Sequence, residues 1–135
     1  MRERVTRIAS TPDGRRIEVR ERVAAPRDRV WETFRDTETW AGWGPSVRAV
    51  DSPTRYIERG TEGRVQTVAG IWLPFEIQDC VPYRWTWDVA NLPATGHRVG
   101  AAADGCVAVI EVSLLAAAYA PVCRRGLAAL ARLVE

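Results

Sequence analysis

The stretch Ala24–Val50, AAPRDRVWETFRDTETWAGWGPSVRAV, decides the fold. Pro26 suits the first position of a helix, where its missing N–H costs nothing. Val30, Trp31 and Phe34 then share one side, with Arg27, Asp28, Arg29, Glu32 and Arg35 on the other, as in a short amphipathic helix. Asp36 and Thr37 can cap a second short helix holding Trp40, and Gly42 and Gly44-Pro45 end it. Trp31, Trp40 and Trp43 thus belong to a helical pair whose bulky apolar surface must close over something concave.

The segment before the pair reads as strand. Ile17, Val19 and Val23 alternate with Arg16, Glu18, Arg20 and Arg22, the signature of a half-buried strand over 15–23. Thr11-Pro12-Asp13-Gly14 is a turn, because Pro sets φ and Gly accepts a positive φ. The flank at 3–10, with Val5 and Ile8, either pairs as an added edge strand or lies loose. Beyond the pair the chain is almost all β, with strands expected at 46–51, 63–69, 72–80, 84–90, 97–103 and 106–113. The breaks are Ser52-Pro53, Gly60 to Gly63, Gly70, Val81-Pro82, Leu92-Pro93 to Gly96, and Asp104-Gly105, the last a two-residue hairpin signal. Short turns between successive strands imply an antiparallel meander. After Leu114 the period becomes helical, through Leu115, Tyr119, Val122, Gly126, Leu130 and Leu133. Pro121 requires that this helix start near Ala120 or kink there.

Bulk composition sets bounds. The 135 residues suit one domain, and 47% apolar with 27% charged residues suit an ordinary globular protein. All the basic residues are arginine, an alanine-rich, lysine-free usage typical of a GC-rich bacterial or archaeal genome, and it removes lysine-based covalent chemistry. A net charge of +2 with scattered arginines disfavours nucleic-acid binding. Cys80, Cys106 and Cys123 form no CxxC pair and read as buried free thiols of a reducing cytoplasm. No apolar run of about 18 residues is evident and no apolar run succeeds the N-terminal arginines, so neither membrane insertion nor a signal peptide is expected. One histidine and three scattered cysteines give no metal spacing. No dinucleotide, P-loop or nucleophile-elbow motif occurs, so no cofactor is expected.

The order β, two short helices, six strands and one long C-terminal helix resembles the helix-grip fold of the START-like, or SRPBCC, superfamily, which includes the polyketide cyclase/dehydrase proteins. The resemblance is carried by Val23-Ala24-Ala25-Pro26 with Val30-Trp31, by Asp36, Trp40 and Trp43-Gly44-Pro45-Ser46-Val47, and by Gly63 to Val65, Leu73-Pro74-Phe75 and Trp85-Thr86-Trp87. It covers nearly the whole chain as a single domain, 1–135, with 1–14 as an extra N-terminal hairpin. It implies an α+β architecture in which a curved antiparallel sheet of about six to seven strands grips the C-terminal helix around an apolar cavity.

Alternation then assigns Ile17, Val19, Glu21, Val23, Leu73, Phe75, Ile77, Trp85, Trp87, Val89, His97, Val99, Ala108, Ile110 and Val112 to the inward face. Arg84, Thr86, Asp88, Arg98 and Glu111 fall in the opposite phase, which suits water. Trp40, Trp43, Phe75, Trp85, Trp87, Val99 and Ile110 are expected either to line a cavity for a small hydrophobic ligand or to fill the core. An inward Glu21 is either an acid/base group with a raised pKa or a residue turned out at a bulge. His97, the only histidine, is either an acid/base group, paired with Glu21 if both point inward, or a structural residue. Arg64, Arg98 and Tyr83 are either ligand anchors or solvated sheet residues. The functional expectation is hydrophobic-ligand binding, with cyclase or dehydratase chemistry at Glu21 and His97 implied by the resemblance. The alternative is a non-catalytic accessory or lipid-carrier module, working as a homodimer.

Overall fold

Pro12-Asp13 and a left-handed Gly14 (φ 103°) reverse the chain between β1 (Arg4–Thr11) and β2 (Gly14–Val23). The computed structural model describes residues 4–135; residues 1–3, with the start of the expected N-terminal hairpin, lie outside the described residues. β1 pairs with β2 along its whole length, from Arg4 opposite Glu21 to Thr11 opposite Gly14. It therefore joins the main sheet, which has eight strands rather than the six or seven expected.

After β2 come α1 (Arg27–Arg35), a 3-10 turn at Thr37–Thr39 and the single-turn helix α2 (Trp40–Trp43). Asp36 caps the 3-10 turn by accepting from the Glu38 N–H at 3.0 Å. The chain continues through β3 (Val47–Asp51), β4 (Glu62–Thr67), β5 (Trp72–Val81), β6 (Arg84–Val89), β7 (Leu92–Ala102) and β8 (Gly105–Val112). All neighbouring strands are antiparallel, in the order β1-β2-β8-β7-β6-β5-β4-β3. A 3-10 segment at Leu114–Tyr119 leads into α3 (Ala120–Val134), which packs on β2 and β8 and against α1 and α2.

The apolar residues assigned inward all belong to, or pack against, one core, and Glu21 and His97 are buried. Four other expectations are corrected. β7 starts at Leu92, because Ala90 and Asn91, with φ of 53° and 63°, form a tight two-residue turn that pairs Val89 with Leu92. Pro93 is tolerated there because the β6–β7 register slips between Thr86 and Asp88. The β7–β8 turn is Ala103-Asp104, with Gly105 already paired to Ala102; a Cβ on Gly105 would lie 2.2 Å from the Val23 carbonyl oxygen.

The third correction concerns α3. It begins at Ala120, with Pro121 in its first turn, and buries Cys123, Leu127, Leu130, Ala131 and Val134. Leu115 is instead fully exposed and Leu133 half so. The buried stripe is built largely of Ala, Cys and Gly, small residues that let the helix approach the sheet and that a search for large side chains overlooks. Leu114–Val134 is in fact long and apolar enough, by length and composition, to cross a membrane, which the sequence reading missed. In the fold its apolar stripe is covered by the sheet and the short helices.

The fourth concerns the outward face. Glu18 and Glu111 sit directly opposite each other on β2 and β8, and both are only 3% exposed. Such a like-charged pair is unfavourable alone. Arg98 and Arg7 bond Glu18, and Arg84 grips Glu111 in a fork at 3.1 and 2.7 Å while also reaching Asp13 at 2.8 Å. Burial works to raise the Glu18 pKa, but the bonds from Arg98 and Arg7 outweigh it and hold the carboxyl below its usual range. Gly96 completes the arrangement, since a Cβ there would meet the Glu111 carboxylate at 2.6 Å.

Candidate functional site

β6 projects Trp85 and Trp87 from the same face, and the rest of the site is set by the groups that meet each indole. Trp40, from α2, stacks on Trp85 with ring centroids 5.4 Å apart and planes 10° from parallel. His97, opposite Trp85 on β7, stacks on it at 3.8 Å. Phe34 and Trp43 close edge-on against His97, and Phe75 tilts against Trp40. Trp40, Trp43, Phe75, Trp85, Val99 and Ile110 are each no more than 4% exposed and form one packed core. The Trp40 indole donates to the Phe34 carbonyl and that of Trp43 to Thr39 Oγ1, both at 3.0 Å. Among the described residues the Trp85 N–H meets no acceptor within hydrogen-bond distance.

His97 belongs to this packed layer. Burial pushes its pKa down to about 3; the Trp85 backbone opposes that shift and the Arg84 charge adds to it. The imidazole is therefore neutral at physiological pH. Its Nε2 lies 3.1 Å from Thr95 Oγ1, which accepts from the Trp87 indole at 3.0 Å. Glu21 is also inward and buried, but it does not meet His97. Glu21 pairs across β8 with Ala108, whereas His97 pairs with Ile110, the next inward position. Two strand spacings and a two-residue offset, about 12 Å between Cα atoms, separate them.

Trp87 differs from the other indoles. It packs edge-on against Trp40 and Trp85, and its outer side borders an apolar pocket of about 200 Å³ that opens at the end of the sheet where α3 begins. Val47, Val65, Leu73 and Val89 supply apolar wall. Ser46, Thr67, Thr95 and Tyr119 supply hydroxyls, and Tyr119 donates to Ser46 Oγ at 2.9 Å. Burial raises the Tyr119 pKa, while the bond to Ser46 opposes the shift, so this phenol stays protonated at neutral pH. Of the seven residues expected to line a ligand cavity, Trp87 alone borders this pocket.

A larger hollow, about 390 Å³, lies on the outward face over Gly96. Its floor is the Arg84–Glu111–Asp13 array, in which one guanidinium bonds two carboxylates. The other expected anchors are engaged too. Arg98 bonds Glu18, Arg64 bonds Asp51 at 2.9 Å, and Tyr83 donates to Asp28 at 2.7 Å under the Arg27 guanidinium. Among the described residues no cluster of His, Cys, Asp and Glu could hold a metal ion. Cys123 and Cys106 are buried and Cys80 is half-buried, all as free thiols; burial pushes Cys123 up to about 12, far from a reactive thiolate.

Ser46, Thr95 and Tyr119 were missed as site residues from sequence. The only signals were Ser46 beside the Gly44-Pro45 break and Tyr119 just ahead of Pro121. Thr95 was hidden inside a segment read as a turn.

A long helix laid on one face of an antiparallel sheet, with two short helices closing the other end and a pocket at the mouth, defines a helix-grip protein of the SRPBCC superfamily. The chain belongs to the polyketide cyclase/dehydrase and lipid transport family, whose profile matches residues 14–135. That match starts at β2, so β1 precedes it. At the level of the family this is a fold for binding hydrophobic molecules. Solved structures agree on the fold. CalU16 of Micromonospora echinospora is 21% identical with a TM-score of 0.66, over 100% of this chain and 87% of CalU16. BH1534 of Bacillus halodurans is 18% identical with a TM-score of 0.66, over 89% of this chain and 96% of its own. DynU16, from the dynemicin biosynthetic locus, is 22% identical with a TM-score of 0.63, over 87% of this chain and 46% of DynU16. No curated protein matches the chain by sequence.

Proposed function

We propose that this protein binds a small apolar molecule in the mouth pocket and that binding, not turnover, is its activity there. The observation that carries this reading is the pocket itself: about 200 Å³ of largely apolar space beside an indole face, with four hydroxyls on its rim. A guest burying about 150 Å² of apolar surface gains about 4 kcal/mol at 25 cal/mol per Å². Cyclase or dehydratase chemistry requires a proton donor or acceptor within reach of the guest. Glu21 and His97, the two groups expected in that role, are held elsewhere. His97 is neutral, stacked in the core and reached only through Thr95, and Glu21 lies two strands beyond it. The carrier reading of this fold is therefore favoured over the enzymatic one, with a guest smaller than a long acyl chain.

The test is a calorimetric titration with 2-naphthol of the protein and of Val89→Phe, which fills the pocket. Saturable one-to-one binding, weakened at least about tenfold in the variant, supports the reading. No saturable binding, or equal binding to both proteins, overturns it.

A further inference from the structure

Four hydroxyls stand on the rim, and they differ in how they are engaged within the protein. Thr95 is committed within the protein, accepting from the Trp87 indole and facing His97 Nε2. Thr67, also on the rim, accepts from the Ile71 N–H in its own hairpin at 3.3 Å. Ser46 and Tyr119 face each other, and their single mutual bond uses the Tyr119 proton. A hydroxyl carries one donor and two acceptor sites, so that bond leaves the Ser46 proton and the Tyr119 lone pairs for a third oxygen.

The backbone supports this assignment. Ser46 has φ of 61°, a left-handed conformation uncommon for serine, and its carbonyl accepts from the Val68 N–H of the β4–β5 hairpin at 3.2 Å. That geometry fixes the Ser46 side chain toward Tyr119, which ends the 3-10 segment just before α3. The two hydroxyls come from elements 73 residues apart and meet at the pocket rim.

Size narrows the guest further. An apolar cavity of about 150 Å³ accommodates benzene. A pocket of about 200 Å³ thus takes one substituted ring or two fused rings. The Trp40–Trp85–His97 stack closes the way inward, so a long acyl chain has nowhere to extend.

Resting on that reading of the mouth pocket, we infer that the ligand is a hydroxylated mono- or bicyclic aromatic, a phenol in chemical class, selected by Ser46 and Tyr119. The ring lies against Trp87 and the apolar wall. Its hydroxyl accepts from Ser46 and donates to the Tyr119 oxygen, closing a ring of three O–H···O bonds.

The experiment compares 2-naphthol with naphthalene in the wild type, in Tyr119→Phe and in Ser46→Gly, a replacement that tolerates the left-handed backbone. The ratio of naphthalene Kd to 2-naphthol Kd is expected to fall about three- to tenfold in each variant, with the naphthalene Kd changing far less. An unchanged ratio in both variants overturns the selection. If naphthalene still binds and Val89→Phe still blocks it, the pocket reading survives that failure. If neither probe binds the wild type, both readings fall together.

Discussion

Trp85 and Trp87 are two residues apart on one strand, point to the same face, and meet opposite fates. Trp85 is 1% exposed, sandwiched between Trp40 and His97. Trp87 is half-buried, with neighbours on one side and a pocket on the other. The difference lies in what the rest of the chain brings over each. α2 delivers Trp40 onto Trp85. Over Trp87 the chain is still a 3-10 segment, with non-helical angles at Ala116 and no buried residue, and only Tyr119 reaches the pocket. In this fold the space for a guest is therefore set by where the covering helix begins, and not by where the aromatic residues are.

The largest effect should separate the two indoles. Trp85→Ala empties a closed site and is expected to cost about 3–5 kcal/mol in urea unfolding. Trp87→Ala enlarges a pocket already open to solvent and is expected to cost less than half as much. Equal losses would break the comparison.

The acid response should be nearly as large. His97 has a folded-state pKa near 3, below its unfolded value near 6.5, so only the unfolded chain takes up this proton between those values. Its contribution is intact above pH 6.5 and is lost as pH falls, at roughly 1.4 kcal/mol per unit once well below 6.5. Glu18, whose folded pKa is also depressed, joins only below its ordinary value of 4.5. The His97 contribution between pH 6.5 and 5 is the difference in slope between the wild type and His97→Gln, and the variant's slope should be the flatter. Equal slopes there would mean that His97 is hydrated, and the sealed layer would not be sealed.

At the pocket rim the expected effects are small. Tyr119→Phe removes one hydrogen bond and should cost about 1 kcal/mol of stability. Leu115→Ser, on the fully exposed part of the 3-10 segment, should change it by less than about 0.5 kcal/mol. A larger loss at Leu115 would show that this segment is packed against something.

Much of the architecture was legible because alternation is local. Val19, Phe75, Ile77 and Ile110 announced their face two residues at a time; Glu21 and His97 shared that phase, with outward or structural alternatives left open, and both are buried. Pro26, Pro121 and the Pro-Asp-Gly turn marked boundaries for steric reasons that hold in any context. Pro93 misled, because a proline inside a strand is acceptable only at a register slip, which a single strand does not reveal. The outward Glu18 and Glu111 misled because their burial depends on arginines from other strands.

The site was less legible for a related reason. Period and phase show that Trp85 and Trp87 share a face, but not that Trp40 stacks flat on one and meets the other only edge-on. The Ser46–Tyr119 contact joins residues with no mark of their partnership in sequence. Glu21 and His97 were each inward, yet their separation is a matter of register across β8, invisible without strand pairing.

The most direct test is a ¹⁵N–¹H spectrum of the tryptophan indole N–H groups during titration with 2-naphthol. The account predicts a saturable shift of the Trp87 signal, while those of Trp40 and Trp43, held by Phe34 and Thr39 in the packed layer, stay in place. Saturable shifts of Trp40 and Trp43 with Trp87 unmoved would contradict it, placing the guest in the core instead of at its mouth.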